Sequence, residues 1–421
     1  MTMKHGSLPP LPPLRPIFSA LLRRKTGPLL IALQVALTLA ILCNALFIVQ
    51  QRLQQAAAPS GVPEDELFLV AVVTPGYDDT PFDIQRRDEA LIRAVPGVLA
   101  ASWANQMPLR NSGNNSALAS ERGARQTSGA AMYRGGEQLL DTLGLKLVQG
   151  RGFLPEEVQD IDSRVSRGQP GQIILTQALA QRLFPGVDSV IGRTVFHGNG
   201  ADDPASTVVG VVEHLVSPWG PASWNQGDPQ GESSALLPAR NEERGMYLVR
   251  ARPEGQAAVR AAVAAALKQA VPGRIVSERA TMARVRDQRY ADDTYLAGLM
   301  KVVIGLLLTM TAAGIVGLAS LWVTQRRKQI GVRRALGARR GDIVRHFLAE
   351  NLMITTTGTV LGLSGAVALN QLLTRFTALQ PLPLGVLATG AVAMLALGAL
   401  AVLAPALRAA RVPPAEATRS V

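Results

Sequence analysis

The sequence predicts an α+β membrane protein, with four transmembrane helices and a large extracytoplasmic α+β domain between the first and the second. Three observations lead there. Four apolar stretches, at 28–50, 302–323, 347–370 and 384–407, are each long enough at ~1.5 Å per residue to cross a ~30 Å hydrocarbon core. Between the first two, residues 59–277 hold no segment apolar enough to span, and charges of both signs are mixed through them. Strand–helix–strand patterns recur at both edges of that region, which predicts a ferredoxin-like split sheet carrying a β-rich insertion.

Composition excludes some classes of function. Lys and Arg number 43 against 31 Asp and Glu, a net charge of +12, and 48% of the 421 residues are hydrophobic. A basic chain suggests nucleic acid, but the cations cluster at the ends of apolar runs and aromatics are only 4%, so no base-stacking platform exists. The excess charge reads instead as membrane orientation, with basic loops on the cytoplasmic side. Cys43 is the single cysteine and lies inside the first apolar run, so no disulfide forms within one chain.

Taken in order, residues 1–27 are Pro-rich and then basic, a cytoplasmic N-terminal segment. The span at 28–50 is longer than the ~7–15 apolar residues of a signal peptide, so it is expected to stay uncleaved. Its Gln34, Thr38 and Asn44 should face other helices. The extracytoplasmic domain covers 59–280. Strands are expected at 66–73 and 97–106 around a helix at 82–94, and at 246–251 and 274–278 around a helix at 254–270. The ferredoxin-like unit is thus built from 64–108 and 245–280, with 109–244 as an inserted subdomain. Within the insertion, 144–153, 172–186 and 207–215 are the clearest elements. Segments 155–171 and 216–240, rich in Gly, Pro, Ser and acids, read as loops or flaps. The adjacent pairs Asp202-Asp203 and Asp292-Asp293 read as solvated charges.

Residues 281–324 contain no proline and predict one helix. Its first half carries Arg284, Arg286, Asp287, Arg289, Asp292 and Asp293 and reads as an extracytoplasmic stalk; its second half is the second span. A cytoplasmic loop follows at 325–346, then the third span at 347–370, where Gly358 and Gly362 stand four apart and suit close helix packing. Glu350, near its cytoplasmic end, is expected to anchor nearby arginines. The fourth span is 384–407, and the basic tail 408–421 places both termini in the cytoplasm.

The stretch 325–350 organises the chain. It carries eight Arg and Lys against two acids, Asp342 and Glu350, with Val332, Leu336, Ile343 and Phe347 at helical spacing and a break at Gly337. Composition alone allows a topology anchor that touches lipid headgroups, or a docking surface for a soluble partner. The residues are more specific. Gln329-Ile330-Gly331, Arg333-Arg334, Ala335-Leu336-Gly337-Ala338, Ile343 and Phe347-Leu348-Ala349-Glu350 resemble the cytoplasmic loop of the MacB/FtsX-type ABC transporter permeases. Gln329 replaces the family's usual Glu. The domain is similar as well, through Gly150-Arg151-Gly152-Phe153, Leu183-Phe184-Pro185-Gly186, Ile191-Gly192 and Val208-Val209-Gly210-Val211-Val212. So is the tail, through Arg408-Ala409-Ala410-Arg411, although Thr418-Arg419 departs from the usual ending.

The resemblance implies a permease subunit in the bacterial inner (plasma) membrane, with a porter-like unit outside. Ile330, Gly331, Val332, Arg333, Arg334, Ala335, Leu336, Gly337, Ala338 and Ile343 would form its ATPase-coupling element. It implies as partners an ABC ATPase subunit that binds ATP and Mg, a second permease (identical or a sister subunit), membrane lipids, and a periplasmic adaptor protein; nucleic acid is not among them. Coupling would proceed by mechanotransmission and drive efflux. Lipoprotein release and FtsX-like regulation of cell-wall hydrolases are alternatives on the same architecture, and a membrane receptor is an alternative outside it.

The chain itself is expected to be no enzyme and to bind no cofactor. Lys never follows Gly directly, so no Walker A loop exists. The four histidines, His5, His197, His214 and His346, include no pair at metal-ligand spacing. No Gly-x-Ser-x-Gly elbow occurs. Leu363-Ser364-Gly365 superficially matches an ABC signature, but it lies inside an apolar span and reads as packing.

Overall fold

Four long helices carry the apolar stretches. The computed structural model describes residues 26–411 and 413, apart from 74–80, 163, 167, 201, 222–227, 229, 230, 244, 279 and 377–380. Most of the expected N-terminal segment (1–25) and of the tail (412 and 414–421) lies outside the described residues. Helix α1 is Thr26–Ala57. Among the described residues, the chain then enters a domain of twelve strands and four shorter helices, and leaves it through three long ones and a short connector, defined below. All four long helices, at Thr26–Ala57, Met282–Gln325, Arg340–Phe376 and Leu384–Ala410, are apolar and long enough to cross a membrane. The chain divides into two units: Gln54–Asp292, and the remainder up to Leu53 and from Asp293 onward.

In the second of these, α1 is the hub. Ile31, Val35, Leu39 and Cys43 are fully buried along one face, at i, i+4 spacing. Polar groups within the apolar run find partners on other helices. Thr38 shares a 2.8 Å hydroxyl–hydroxyl hydrogen bond with Thr311, and Asn44 Nδ2 donates to Ala366 O at 3.1 Å as well as to Ala40 O. Burying an amide in an apolar medium without a partner costs several kcal/mol, so these positions fix which helices pack on α1.

The domain begins with β1 (Leu67–Val73), α2 (Pro81–Arg93) and β2 (Val98–Trp103). The inserted part follows: β3 (Asn115–Leu118), β4 (Ser128–Gly135), α3 (Leu139–Leu143), β5 (Leu147–Gly150), β6 (Gln159–Ile161), β7 (Gln172–Thr176), α4 (Gln177–Leu183), β8 (Thr194–Phe196), β9 (Ala205–Val212) and β10 (Ser234–Asn241). It closes with β11 (Met246–Ala251), α5 (Gln256–Ala270) and β12 (Ile275–Glu278). The four outer strands form one antiparallel sheet in the order β12-β1-β11-β2. Two crossovers, each through a helix, produce this interleaving, which is the ferredoxin-like split arrangement expected from the sequence.

The insertion builds an eight-stranded mixed sheet whose main path runs β3-β4-β10-β7-β9-β5, with β6 against β10 and β8 against β9. Here the structure corrects two expectations. Segment 216–240, read as loop, contains most of β10, which lies inside the sheet with all eight residues buried. Segment 155–171 contains β6, which pairs β10 in parallel from Ala239↔Gln159 to Asn241↔Ile161. Pro238 disguised the strand, since proline removes a ladder donor. On that side β7 pairs only at Ala235 and Leu236, and β6 takes over from Ala239, so Pro238 occupies the gap where no N–H is needed. The acidic pairs also differ from their reading. Asp203 accepts from Gly200 N–H, and Asp293 is ion-paired with Arg52.

A buried ionic lattice joins the outer unit to the insertion. Arg240 of β10 donates to Glu89 of α2 at 2.6 Å, while Glu89 also accepts from Trp103 N–H at 2.7 Å. One residue back, Asp88 accepts from Arg274 at 2.7 Å and from the Tyr247 hydroxyl at 2.8 Å. Burial, with the adjacent Asp88 carboxylate, pushes the Tyr247 phenol well above its ordinary range. Neither carboxylate is more than 2% exposed. Removing one member strands the other charge in a medium of low polarity. Glu89→Gln is therefore expected to destabilise the domain by about 3–5 kcal/mol, with Glu137→Gln, half-exposed, losing far less; chemical unfolding of the two variants checks it.

His197 supplies a second test. Its Nε2 lies 2.7 Å from Ser206 Oγ, which itself donates to Pro170 O at 2.6 Å, so the ring donates through Nε2. Burial, then the nearby Arg134 charge, lowers its pKa from 6.5 to about 4. The unfolded chain therefore binds the proton first, and stability falls as pH drops through the window from 6.5 to about 4. The loss is expected to reach up to about 3 kcal/mol, and His197→Gln should flatten that slope in a pH series of unfolding curves.

Candidate functional site

After β12 the chain forms α6 (Met282–Gln325), α7 (Arg327–Ala335), α8 (Arg340–Phe376) and α9 (Leu384–Ala410). The basic stretch is thus a helical elbow: the end of α6, the two-and-a-half turns of α7, and the first turns of α8. Gly337 stops α7. It sits at φ +98, its N–H bonds Arg334 O at 3.1 Å, and the Ala338 N–H bonds Arg333 O at 3.1 Å. This pair of reversed bonds closes the helix end and satisfies its last carbonyls, and it needs the left-handed residue that glycine supplies. Asp342 then starts α8 by accepting from Arg339 N–H at 2.9 Å, an acid where the helix dipole favours one.

The expected coupling residues divide into two sets. Ile330, Gly331 and Ile343 are buried, and Ile330 and Ile343 belong, with Phe347, to the apolar core around α1. They hold the elbow onto its own chain and are not available to a partner in this conformation. Val332 on α7 and Leu336 just past its end, one turn apart, are 52% and 83% exposed. Arg333, Ala335 and Gly337 are exposed beside them, and Arg334 and Ala338 are half-buried. Arg334 donates through Nη1 to Ala410 O at 3.1 Å, near the end of α9. That tie was not legible in the sequence, because its acceptor is a backbone carbonyl far along the chain.

One ion pair closes the elbow from behind. Arg326 Nη1 reaches both oxygens of Glu350, at 3.0 and 2.9 Å, and Glu350 is 3% exposed. The pair ties the residue between α6 and α7 to the third turn of α8. Around it the helices are drawn in by small residues. A Cβ on Gly358 would stand 2.7 Å from Ala32 O, and one on Gly362 would stand 2.9 Å from Ala36 O. Both glycines therefore let α8 approach the backbone of α1. Among the described residues no group of three or more His, Cys, Asp or Glu could hold a metal ion.

Four helices long and apolar enough to span, an α+β domain after the first of them and a basic elbow after the second define a multi-pass membrane protein. Two family models match this arrangement: the MacB-like periplasmic core domain over residues 30–270, and the FtsX-like permease C-terminal domain over residues 301–414. The chain belongs to the MacB/FtsX-type family of ABC transporter permeases. Its relatives include the macrolide export ATP-binding/permease protein MacB of Neisseria meningitidis, 26% identical over 278 residues that cover 63% of this chain and 39% of that protein. A MacB of Bdellovibrio bacteriovorus is 32% identical over 94 residues, covering 22% of this chain and 14% of that one. The chain thus spans about two fifths of the length of the curated relatives it matches over the longest stretch. Among solved structures, the periplasmic region of MacB from Actinobacillus actinomycetemcomitans aligns with a TM-score of 0.34 and 13% identity, over 54% of this chain and 94% of that one.

The glycine contacts yield a paired test. Gly362→Ala should force α1 and α8 apart and cost about 1–3 kcal/mol, whereas Gly365→Ala, whose Cβ would meet only Ala40 Cβ at 3.4 Å, should be tolerated. Thermal unfolding of the full chain in detergent separates the two.

Proposed function

We propose that this chain is the membrane subunit of an ATP-driven transporter in the bacterial inner membrane, with the elbow in the cytoplasm and the α+β domain outside. The observation that carries the reading is the exposed apolar pair Val332 and Leu336, flanked by Arg333 and mounted on a frame closed by Arg326 and Glu350. An apolar ridge rimmed by cations suits an ABC ATPase, which would bind ATP and Mg and accept the ridge in a groove. The names of the similar proteins, which pair ATP-binding with permease, support a partnership of this kind.

In this reading the partner's closure on ATP displaces the elbow, and α6 carries the displacement toward the domain. Such mechanotransmission would serve efflux of material already outside the membrane. A second permease copy or sister chain completes the assembly, and a periplasmic adaptor would meet the domain. Arg333 supplies polar contacts to the ATPase, while Arg334 is already engaged by Ala410 O.

The test places a charge on the ridge. Leu336→Asp is expected to leave membrane insertion unchanged and to abolish co-purification with the ATPase, or to lower permease-stimulated ATP turnover by at least about tenfold, about 1.4 kcal/mol of coupling. Wild-type turnover in that variant, measured in lipid, would remove the ridge as the coupling surface.

A further inference from the structure

Where α1 ends and α6 begins, one guanidinium holds both. Within the unit Gln54–Asp292, Arg286 of α6 meets Glu64 fork to fork, Nε to Oε2 at 2.7 Å and Nη2 to Oε1 at 2.5 Å. The same group donates through Nη1 to Ala56 O at 2.6 Å and through Nη2 to Ala58 O at 2.9 Å. Ala56 lies in the last turn of α1, which ends at Ala57. The final carbonyls of a helix have no donor within it, and Arg286 supplies donors from another helix.

Neighbouring bonds thicken the knot. Ser60 donates to Glu64 at 2.5 Å, Val216 N–H donates to Ser60 O at 3.0 Å, and His214 Nε2 donates to Pro59 O at 2.8 Å. One turn up α6, Arg289 donates twice to Trp219 O, at 3.1 and 2.7 Å. Tyr290, 5% exposed, carries the Arg286 guanidinium 5.8 Å from its ring centre and belongs to the core shared by the two subdomains. An isolated surface ion pair would contribute little. Here the planar fork satisfies a carboxylate and two backbone carbonyls at once, which the single ammonium of lysine cannot reproduce.

We propose that Arg286 is a positioning residue for transmission: it fuses the end of α1, the 56–64 linker and the first turns of α6, so that displacement of α6 reaches the α+β domain through a joint that does not yield. The proposal rests on the permease reading above. With the joint cut, α6 would still move, but the linker from α1 would slip and absorb the stroke.

The experiment uses the full chain in lipid with its ATPase, carrying Cys43→Ala. Amide exchange across 54–292 is compared without nucleotide and with ATP plus vanadate. The nucleotide-dependent change in the domain is expected to fall at least about fivefold in Arg286→Met and less in Arg286→Lys, while exchange of β10 without nucleotide stays as in wild type. In the double variant Glu64→Cys/Arg286→Cys, a short bifunctional thiosulfonate should restore the change, and a reductant should abolish it again. A merely structural role would lower protection of β10 in the resting state and would not be rescued in this reversible way. Full transmission in Arg286→Met, or no rescue by the cross-link, overturns the proposal while the permease reading stands. If the wild-type chain binds no ATPase, or shows no nucleotide-dependent change, that reading fails and takes the proposal with it.

Discussion

The continuity of α6 is the constraint on which the other features depend. Its 44 residues contain no proline, and at ~1.5 Å per residue they make a rod of ~66 Å. Kinks in helices have identifiable causes, chiefly proline, paired Gly and Ser, or an inserted turn. Gly298, Gly305, Gly314 and Gly317 stand singly along the rod, each followed by residues that favour helix. Its first turns belong to the α+β unit, where Val285 and Tyr290 are buried in the core; just past its last residue, Gln325, Arg326 is held by Glu350.

The two ends are secured by the same chemistry. Arg326 and Arg286 each place a guanidinium on a carboxylate, and Arg286 adds the carbonyls that α1 leaves open. Arginine suits both places, because its fork stays charged at any accessible pH and resists solvation more than an ammonium does. The middle of α6 is bonded differently. Thr311 meets Thr38, and Gln34 Nε2 donates to Met310 O at 3.2 Å beside Gly314, where a Cβ would stand 2.5 Å from Gln34. These contacts are neutral and short-ranged, as an apolar surround requires. Charged pairs at the two ends and neutral bonds in between follow from where water reaches the helix.

Much of this was legible in the sequence, and the misses share a cause. The four spans and the ferredoxin-like edges show because the signal is local: β11 at Met246–Ala251 is a short apolar run broken only by Arg250, and most of α1 is one long apolar run. The β10 strand was missed because its Pro238 is tolerated only by a change of neighbour from β7 to β6, a fact about other strands. Gly358 and Gly362 announced close packing but not its partner, α1. In the elbow, spacing identified the apolar residues but gave Val332 and Ile343 the same weight. Their separation into an outward and an inward residue follows from the break at Gly337, which rotates α8 relative to α7 and resets the helical phase.

That reset explains why the elbow is two short helical pieces. A single amphipathic helix from Arg327 to Phe347 would keep Ile343 and Phe347 on one side and turn Ile330 away from them, by about 140° from Ile343 at 3.6 residues per turn. With the left-handed turn between them, Ile330 on α7 and Ile343 and Phe347 on α8 join one core, and Val332 and Leu336 are left on the outer side. Replacing Gly337 by a branched residue would strain the turn and tend to merge the pieces. The buried set would then lose its common face before the exposed set lost its chemistry. The glycine between the pieces therefore decides which apolar residues of the elbow face outward and which join the core.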